Sequence, residues 1–285
     1  LALRVLPVYI WIGVLSLQAH KEERFLYPVY PLMCMNAAIT LYIGRAWLEA
    51  AYLRLTRSPY RASRTWLFPL CTLAPLVLAT VTGCLRLAGL VQHYHAPMDV
   101  LQALPNSTAT LCYGKEWHRF PSHFFVPPQV QVQFVPSDFH GILPAHFVGG
   151  PVDELSNLVW PWAGATRRHL DNVNELNQEE PDRYVDIATC DFLVDVSFPA
   201  RNPTPREPNY AASEAWTKVA CIPFLDAEGS REAARGTPLG RRILATLART
   251  LWLPKTLTRH ISHWDETLRY GDYCLLQQAP PHDID

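Results

Sequence analysis

The sequence predicts an α-helical multi-pass membrane region followed by a mixed α/β domain of a secretory lumen. Three observations carry that prediction. Residues 1–92 hold three apolar runs nearly free of charge, whereas residues 93–285 are rich in Pro, His and charged residues. Arginines cluster in the connection after the second run. Four cysteines and an Asn-Ser-Thr triplet all fall after the third. Bulk figures conceal this division, because the 285 residues carry a formal net charge of -1 with a mean hydropathy near zero. That balance argues against a nucleic-acid partner, which would require a basic patch on one face.

A helix crossing the hydrocarbon layer needs about 20 mostly apolar residues. Leu1–Ala19 carries only Arg4, while Phe25–Gly44 and Trp66–Leu85 carry no charge at all. Residue 1 is Leu and lies inside the first run, so the natural protein is expected to continue upstream, and no signal peptide can be read. Pro28, Pro31, Pro69 and Pro75 predict kinks, tolerated where neighbouring helices satisfy the freed carbonyls. The connection at 45–65 carries Arg45, Arg54, Arg57, Arg61 and Arg64 against Glu49, which marks it as cytoplasmic. The short segment His20–Arg24 and everything after the third run then face the lumen. Asn106-Ser107-Thr108 agrees, because such a triplet accepts a glycan only on that side.

The lumenal part is expected at 93–285. Val130–Val135 alternates apolar and polar residues like a half-buried strand. Phe192–Val196 and Asp272–Gln277 read as further strands, and Gly240–Leu251 has the spacing of an amphipathic helix. That helix is expected to pack on the lumenal core, with a position on the membrane surface as the other reading. Arg167–Asp182 reads as an exposed polar loop. Cys112, Cys190, Cys221 and Cys274 can pair in three ways, which spacing does not decide. Cys34, Cys71 and Cys84 lie in the apolar region as small fillers.

Candidate chemistry is sparse. His20-Lys21-Glu22-Glu23-Arg24 sets His20 and Arg24 four residues apart, with Lys21 beside them at a membrane edge. Cations at that depth can hold a lipid phosphate, although a solvated loop of paired charges fits the pattern as well. Phe25, Tyr27 and Tyr30 follow as an interfacial aromatic belt. His93, His95, His260 and His263 lack a companion set of thiols or carboxylates, so no metal site is expected. Glu179-Glu180 sits in a polar loop where adjacent carboxylates point apart into water, a poor arrangement for acid–base work. Phosphate-binding and dinucleotide-binding loops and the hydrolase nucleophile turn are absent, and no cofactor is implied.

The run His20-Lys21-Glu22-Glu23-Arg24-Phe25 resembles the HKEERF signature of the glycosyltransferase family 22 mannosyltransferases. Gly114–Ser122, Glu179–Ile187 and Thr204–Pro208 resemble the members that form α-1,2 bonds in asparagine-linked glycosylation, adding the seventh and ninth mannoses. The likeness covers most of residues 15–225 and fades after about Pro223. It implies a helical region of the C-type glycosyltransferase superfamily in the endoplasmic reticulum membrane. The implied donor is dolichyl-phosphate mannose and the implied acceptor a dolichol-diphosphate oligosaccharide. His20, Lys21 and Arg24 are then expected to bind the donor phosphate, with Glu22 and Glu23 orienting them. The base is implied in a first lumenal loop upstream, so these residues alone are expected to be inactive. Trp117, Trp160 and Trp162 can stack on sugars or fill the core. Two other readings stay open: a sister enzyme acting on the glycosylphosphatidylinositol anchor or forming an α-1,6 bond, and a noncatalytic membrane-anchored scaffold.

Overall fold

The computed structural model describes residues 2–18, 23–119, 125–144 and 176–279. These fall into two units, 1–84 and 85–285. In the first unit, helix α1 (Ala2–Leu17) precedes a 3₁₀ segment (Glu23–Val29) that leads into α2 (Tyr30–Thr56). Short α3 (Pro59–Arg64) and long α4 (Leu67–Tyr94) follow, and α4 continues into the second unit. Two stretches are long and apolar enough to cross a bilayer, Phe25–Thr56 and Pro59–Tyr94. Their leucines, valines and aromatics are largely exposed, which a helix buried in a soluble core would not allow.

Two expectations change here. The arginine-rich connection at 45–65 is not irregular: α2 runs through Arg45 and Arg54 to Thr56, and α3 takes up most of the rest. Of the four prolines read as kinks, Pro28 lies in the 3₁₀ segment. Pro31 and Pro69 occupy the first turns of α2 and α4, where no hydrogen bond is lost. Pro75 lies inside α4.

The second unit is built on a five-stranded sheet in the order β2-β1-β3-β5-β4. Strand β1 (Ala109–Tyr113) runs parallel to both β2 (Val130–Phe134) and β3 (Phe192–Ser197). Strand β5 (Tyr270–Gln278) runs antiparallel to β3 and to β4 (Trp216–Leu225). Three strands thus form where the sequence predicts them. Central β3 is buried on both faces from Phe192 to Val196, and one face is covered by α5 (Ala96–Asp99) and the turn after it through Val100 and Leu101. At an edge, β4 is exposed through Thr217–Val219, carries a register shift between Lys218 and Ala220, and tolerates Pro223.

Cys112 of β1 is bonded to Cys190, just before β3, and Cys221 of β4 to Cys274 of β5. Both bonds therefore link neighbouring strands or their approaches. Helices α6 (Ala227–Arg235), α7 (Leu239–Thr250) and α8 (Lys255–Thr258) fill the connection from β4 to β5. Cys34, Cys71 and Cys84 are free thiols.

Thiol counting checks the pairing. Denatured, unreduced protein is expected to take up maleimide-polyethylene glycol at Cys34, Cys71 and Cys84 only, and at all seven cysteines after reduction. The Cys112–Cys190 bond closes 78 residues of sequence separation. Replacing both by Ala is expected to lower stability of the second unit by about 4 kcal/mol on a chain-entropy basis, readable in denaturant melts.

Candidate functional site

Strands β1 and β3 are parallel, so their carboxyl ends lie together at one edge of the sheet. In open sheets this is where the departing loops converge on ligands. After β1, Gly114 leads into a 3₁₀ turn, Lys115–Arg119. After β3, the chain runs through Phe198, Arg201, Thr204 and Glu207. Between these segments lies a cavity of about 260 Å³, lined by Lys115, His118, Arg119, Arg201, Glu207 and Asn209 among others.

Charge pairs hold its lining residues in place. Asp195 stands in the middle of β3, only 2% exposed. A buried carboxylate must be paired or lose its charge. Lys115 Nζ donates to its Oδ1 at 3.0 Å. Burial raises the Asp195 carboxyl to about 6, while Lys115 pulls the other way. Its neighbour Glu116 is also buried, and Arg119 Nη1 donates to it at 3.2 Å. Burial pushes the Glu116 carboxyl up, opposed by Arg119 and Lys115. The Arg119 guanidinium lies 4.7 Å over the Phe224 ring and that of Arg201 4.6 Å over Phe198. Arg201 also donates to Asp226 at 3.2 Å, and Asp226 accepts from Gly229 N to cap α6. Burial, with help from Arg119, keeps the His118 ring toward its neutral form. Neutral imidazole, amides and fixed guanidinium groups suit a ligand rich in hydroxyl groups.

The Thr204–Pro208 segment forms one wall, and its shape is held by local hydrogen bonds. Thr204 Oγ1 donates to Asp138 Oδ2 at 2.8 Å and accepts from Glu207 N at 3.0 Å. Asp138 N donates to Glu207 Oε1 at 2.9 Å. Glu179 and Glu180, expected to point into water, are instead each paired. Arg206 and His140 hold Glu179, and Arg183 holds Glu180. Hydrogen bonds from Arg206, His140 and Tyr184 lower the Glu179 carboxyl to about 2, which suits an anchor and not a proton acceptor.

The sequence-predicted cluster is described only in part. His20, Lys21 and Glu22 lie outside the described residues, while Glu23 and Arg24 open the 3₁₀ segment before α2. Phe25 closes the hexapeptide, and its carbonyl accepts from Trp11 Nε1 of α1 at 2.9 Å. Asn106 is exposed in the turn before β1. Trp117 packs on Phe139 with ring centroids 4.2 Å apart, whereas Trp160 and Trp162 lie outside the described residues. Three of the four candidate histidines are occupied separately: His93 with Tyr270, His95 with Asp99 and His263 with Glu266. Among the described residues no three His, Cys, Asp or Glu side chains gather as a metal set. The pocket is the part that sequence reading missed. Its signals were the family-like segments Gly114–Ser122 and Thr204–Pro208, which border it, and Asp195, a carboxylate inside the otherwise apolar run Phe192–Val196.

Apolar helices of membrane length joined to a disulfide-bonded mixed α/β unit with a charged pocket define the class of this chain. Comparison points to a family: residues 1–127 match the model of the Alg9-like mannosyltransferase family. The chain is 36% identical to alpha-1,2-mannosyltransferase ALG9 of Mus musculus, over 82% of this chain and 38% of the relative. Identity to the Schizosaccharomyces pombe alpha-1,2-mannosyltransferase alg9 is 38%, over 77% of this chain and 37% of the relative. The Drosophila melanogaster alpha-1,2-mannosyltransferase Alg9 is 33% identical over 95% of this chain and 40% of its own. That last match reaches well past Pro223. The chain thus spans about two-fifths of the length of the relatives it matches. No solved structure matches it.

The buried pair gives a prediction whose sign is fixed. With Lys115→Ala, Asp195 loses its cation, and its folded pKa moves further above the ordinary 3.8. The folded state then holds the proton more tightly than the unfolded chain, so stability is present at low pH and lost as pH rises through the folded value. Thermal melts are expected to show a loss of about 3–5 kcal/mol near neutral pH, where the buried carboxylate is stranded, and a smaller loss at acidic pH. An equal loss at both would rule out the assignment.

Proposed function

We propose that this chain is part of a mannosyltransferase of the endoplasmic reticulum membrane. It works in the transfer of mannose from dolichyl-phosphate mannose, in α-1,2 linkage, to the dolichol-diphosphate oligosaccharide of N-glycan precursor assembly. The steps are those of the seventh and ninth mannoses. One observation carries the reading: the hexapeptide His20–Phe25 sits at the edge of an apolar run, inside the stretch that matches the family model. Relatives named alpha-1,2-mannosyltransferase cover most of the chain. The helices cross the membrane, the arginines between Arg45 and Arg64 lie on the cytoplasmic side, and the second unit faces the lumen. Two disulfides in that unit suit an oxidising compartment.

The transfer is an inverting displacement. The acceptor 2-hydroxyl oxygen forms the new bond to the anomeric carbon as the bond to the dolichyl-phosphate oxygen breaks. A carboxylate base takes the hydroxyl proton, and the phosphate departs with the electron pair. His20, Lys21 and Arg24 neutralise the charge growing on that phosphate, and Glu22 and Glu23 orient them. None of these is the base. Glu179, held near pKa 2 by Arg206, is unsuited to that role as well. The cavity beside Lys115 and Asn209 contacts hydroxyl groups of the acceptor glycan.

The test uses the intact protein that carries this chain, with defined lipid-linked acceptors. Arg24→Ala or His20→Ala is expected to cut mannose transfer by roughly 100-fold, the scale of losing one charge-stabilising donor, with membrane insertion unchanged. In the same assay replacing Asn202 and Asn209, which both line the cavity, by Ala is expected to raise the acceptor KM while leaving the donor KM unaltered. Transfer to a glycosylphosphatidylinositol precursor, or an α-1,6 product, would move the protein to a sister activity.

Topology is checked separately. In sealed microsomes an endoglycosidase-sensitive glycan is expected on Asn106 and lost in Asn106→Gln. Cytosolic protease is expected to leave 100–285 intact; digestion of this segment overturns the orientation.

A further inference from the structure

Helix α7 has two unlike faces. At about 100° per residue, Ala245 and Ala248 lie on one side and Leu239, Ile243 and Leu247 on another. The alanines are 1% exposed, whereas the three large side chains are 71%, 53% and 37% exposed. Arg242 and Thr246 flank that outer stripe. A row of three large aliphatic side chains on a water-facing helix needs a partner.

The position of α7 identifies the partner. Its exit is fixed to the upper part of α4 within the same unit. Trp252 N donates to the Leu85 carbonyl at 2.9 Å. Gly89 permits the contact, since a Cβ there would stand 2.8 Å from the Thr250 carbonyl and 3.0 Å from Trp252 N. Leu85 is the last residue of the charge-free run Trp66–Leu85, and Arg86 follows. Twenty helical residues rise about 30 Å, the thickness of the hydrocarbon layer, so Leu85 marks its edge and Arg86 the headgroup level. Trp252, 40% exposed, is held at that edge, where tryptophan is favoured. Gly89 stands about 6 Å higher along α4. The end of α7 therefore lies within the depth that an interfacial helix occupies. Exposed Arg242, Lys255 and Arg259 supply cations suited to lipid phosphates.

We propose that α7 is an interfacial helix, laying Leu239, Ile243 and Leu247 into the bilayer surface next to α4 while Ala245 and Ala248 hold it to the sheet unit. The proposal rests on the reading of α4 as a membrane span. It joins the two readings of Gly240–Leu251 that the sequence offers, since one face is buried within the second unit and the other meets lipid.

The test is a spin-label scan of the full chain in vesicles of phosphatidylcholine, with and without phosphatidylserine. Cys34, Cys71 and Cys84 are first replaced by Ala, leaving both disulfides. Single cysteines are then placed at Ile243, at Leu247, at exposed Glu232 of α6, and at Leu78 inside α4. Labels at 243 and 247 are expected to collide with oxygen several-fold more, relative to a water-soluble nickel chelate, than the label at 232. Phosphatidylserine is expected to widen the difference. A lipid-like label at 78 with a water-like label at 243 overturns the proposal and leaves the span intact. A water-like label at 78 overturns both. A label at 243 shielded from oxygen and nickel alike means a protein partner, which also overturns it.

Discussion

A carboxylate in the middle of a buried strand constrains much of the second unit. Asp195 cannot stay charged between Val194 and Val196 without a cation, and it obtains one from Lys115, two residues beyond β1. That requirement fixes where the chain turns after β1 and therefore where Glu116, His118 and Arg119 stand. Glu116 is buried in turn and imposes the same need on Arg119. Arg119 then has its position set twice, by a carboxylate and by the face of Phe224. Charge pairing at the carboxyl ends of two parallel strands thus converts an irregular loop into a fixed cavity wall.

This constraint also explains what the sequence could and could not reveal. The apolar helices were legible because a run of some 20 residues without charge is a signal carried by local composition alone. Strand β2 was legible by its alternation, and β3 and β5 by their apolar runs. Strand β4 was not, because Lys218, a register shift and Pro223 interrupt it, and the alternation of Ala220, Ile222 and Phe224 on its core side is short. β1 is five residues long and follows directly on the glycosylation triplet. The disulfides depend on register: Cys221 meets Cys274 only because β4 and β5 pair antiparallel with those residues opposite. Lys115 and Asp195 are 80 positions apart, and Glu179 finds Arg206 27 positions away. Such partners appear only when the chain is folded. The hexapeptide was legible as charge at a membrane edge, and its chemistry came from resemblance.

The family-like segments of the tail divide by role once they are placed. Gly114–Arg119 and Thr204–Glu207 border the same cavity. Glu179–Arg183 lies behind it, clamping the wall through Arg206 and tying Arg183 to the Leu143 carbonyl. A segment can resemble a family signature because it reacts or because it holds another segment still. The ion pairs separate the two: a carboxylate held by arginine and histidine near pKa 2 has given up its basicity to serve as a fastener.

On the proposed function, a lipid-linked substrate adds a requirement that a soluble sugar does not. Its dolichyl chain stays in the bilayer, so the reacting sugar is presented at a height set by the headgroups. A recognition surface that drifted with respect to the membrane would meet the glycan at varying distances and lose part of its binding free energy to disorder. The exit of α7 is bonded to the last apolar turn of α4 at Leu85, and the cavity belongs to the sheet that the same unit carries. With α7 at the bilayer surface as proposed, a second anchor along Leu239, Ile243 and Leu247 would add to the hydrogen bond at Leu85 and remove the rocking motion that one anchor leaves. On the proposed function the amphipathic helix would bear on catalysis without touching substrate, by setting the height of the cavity above the bilayer surface.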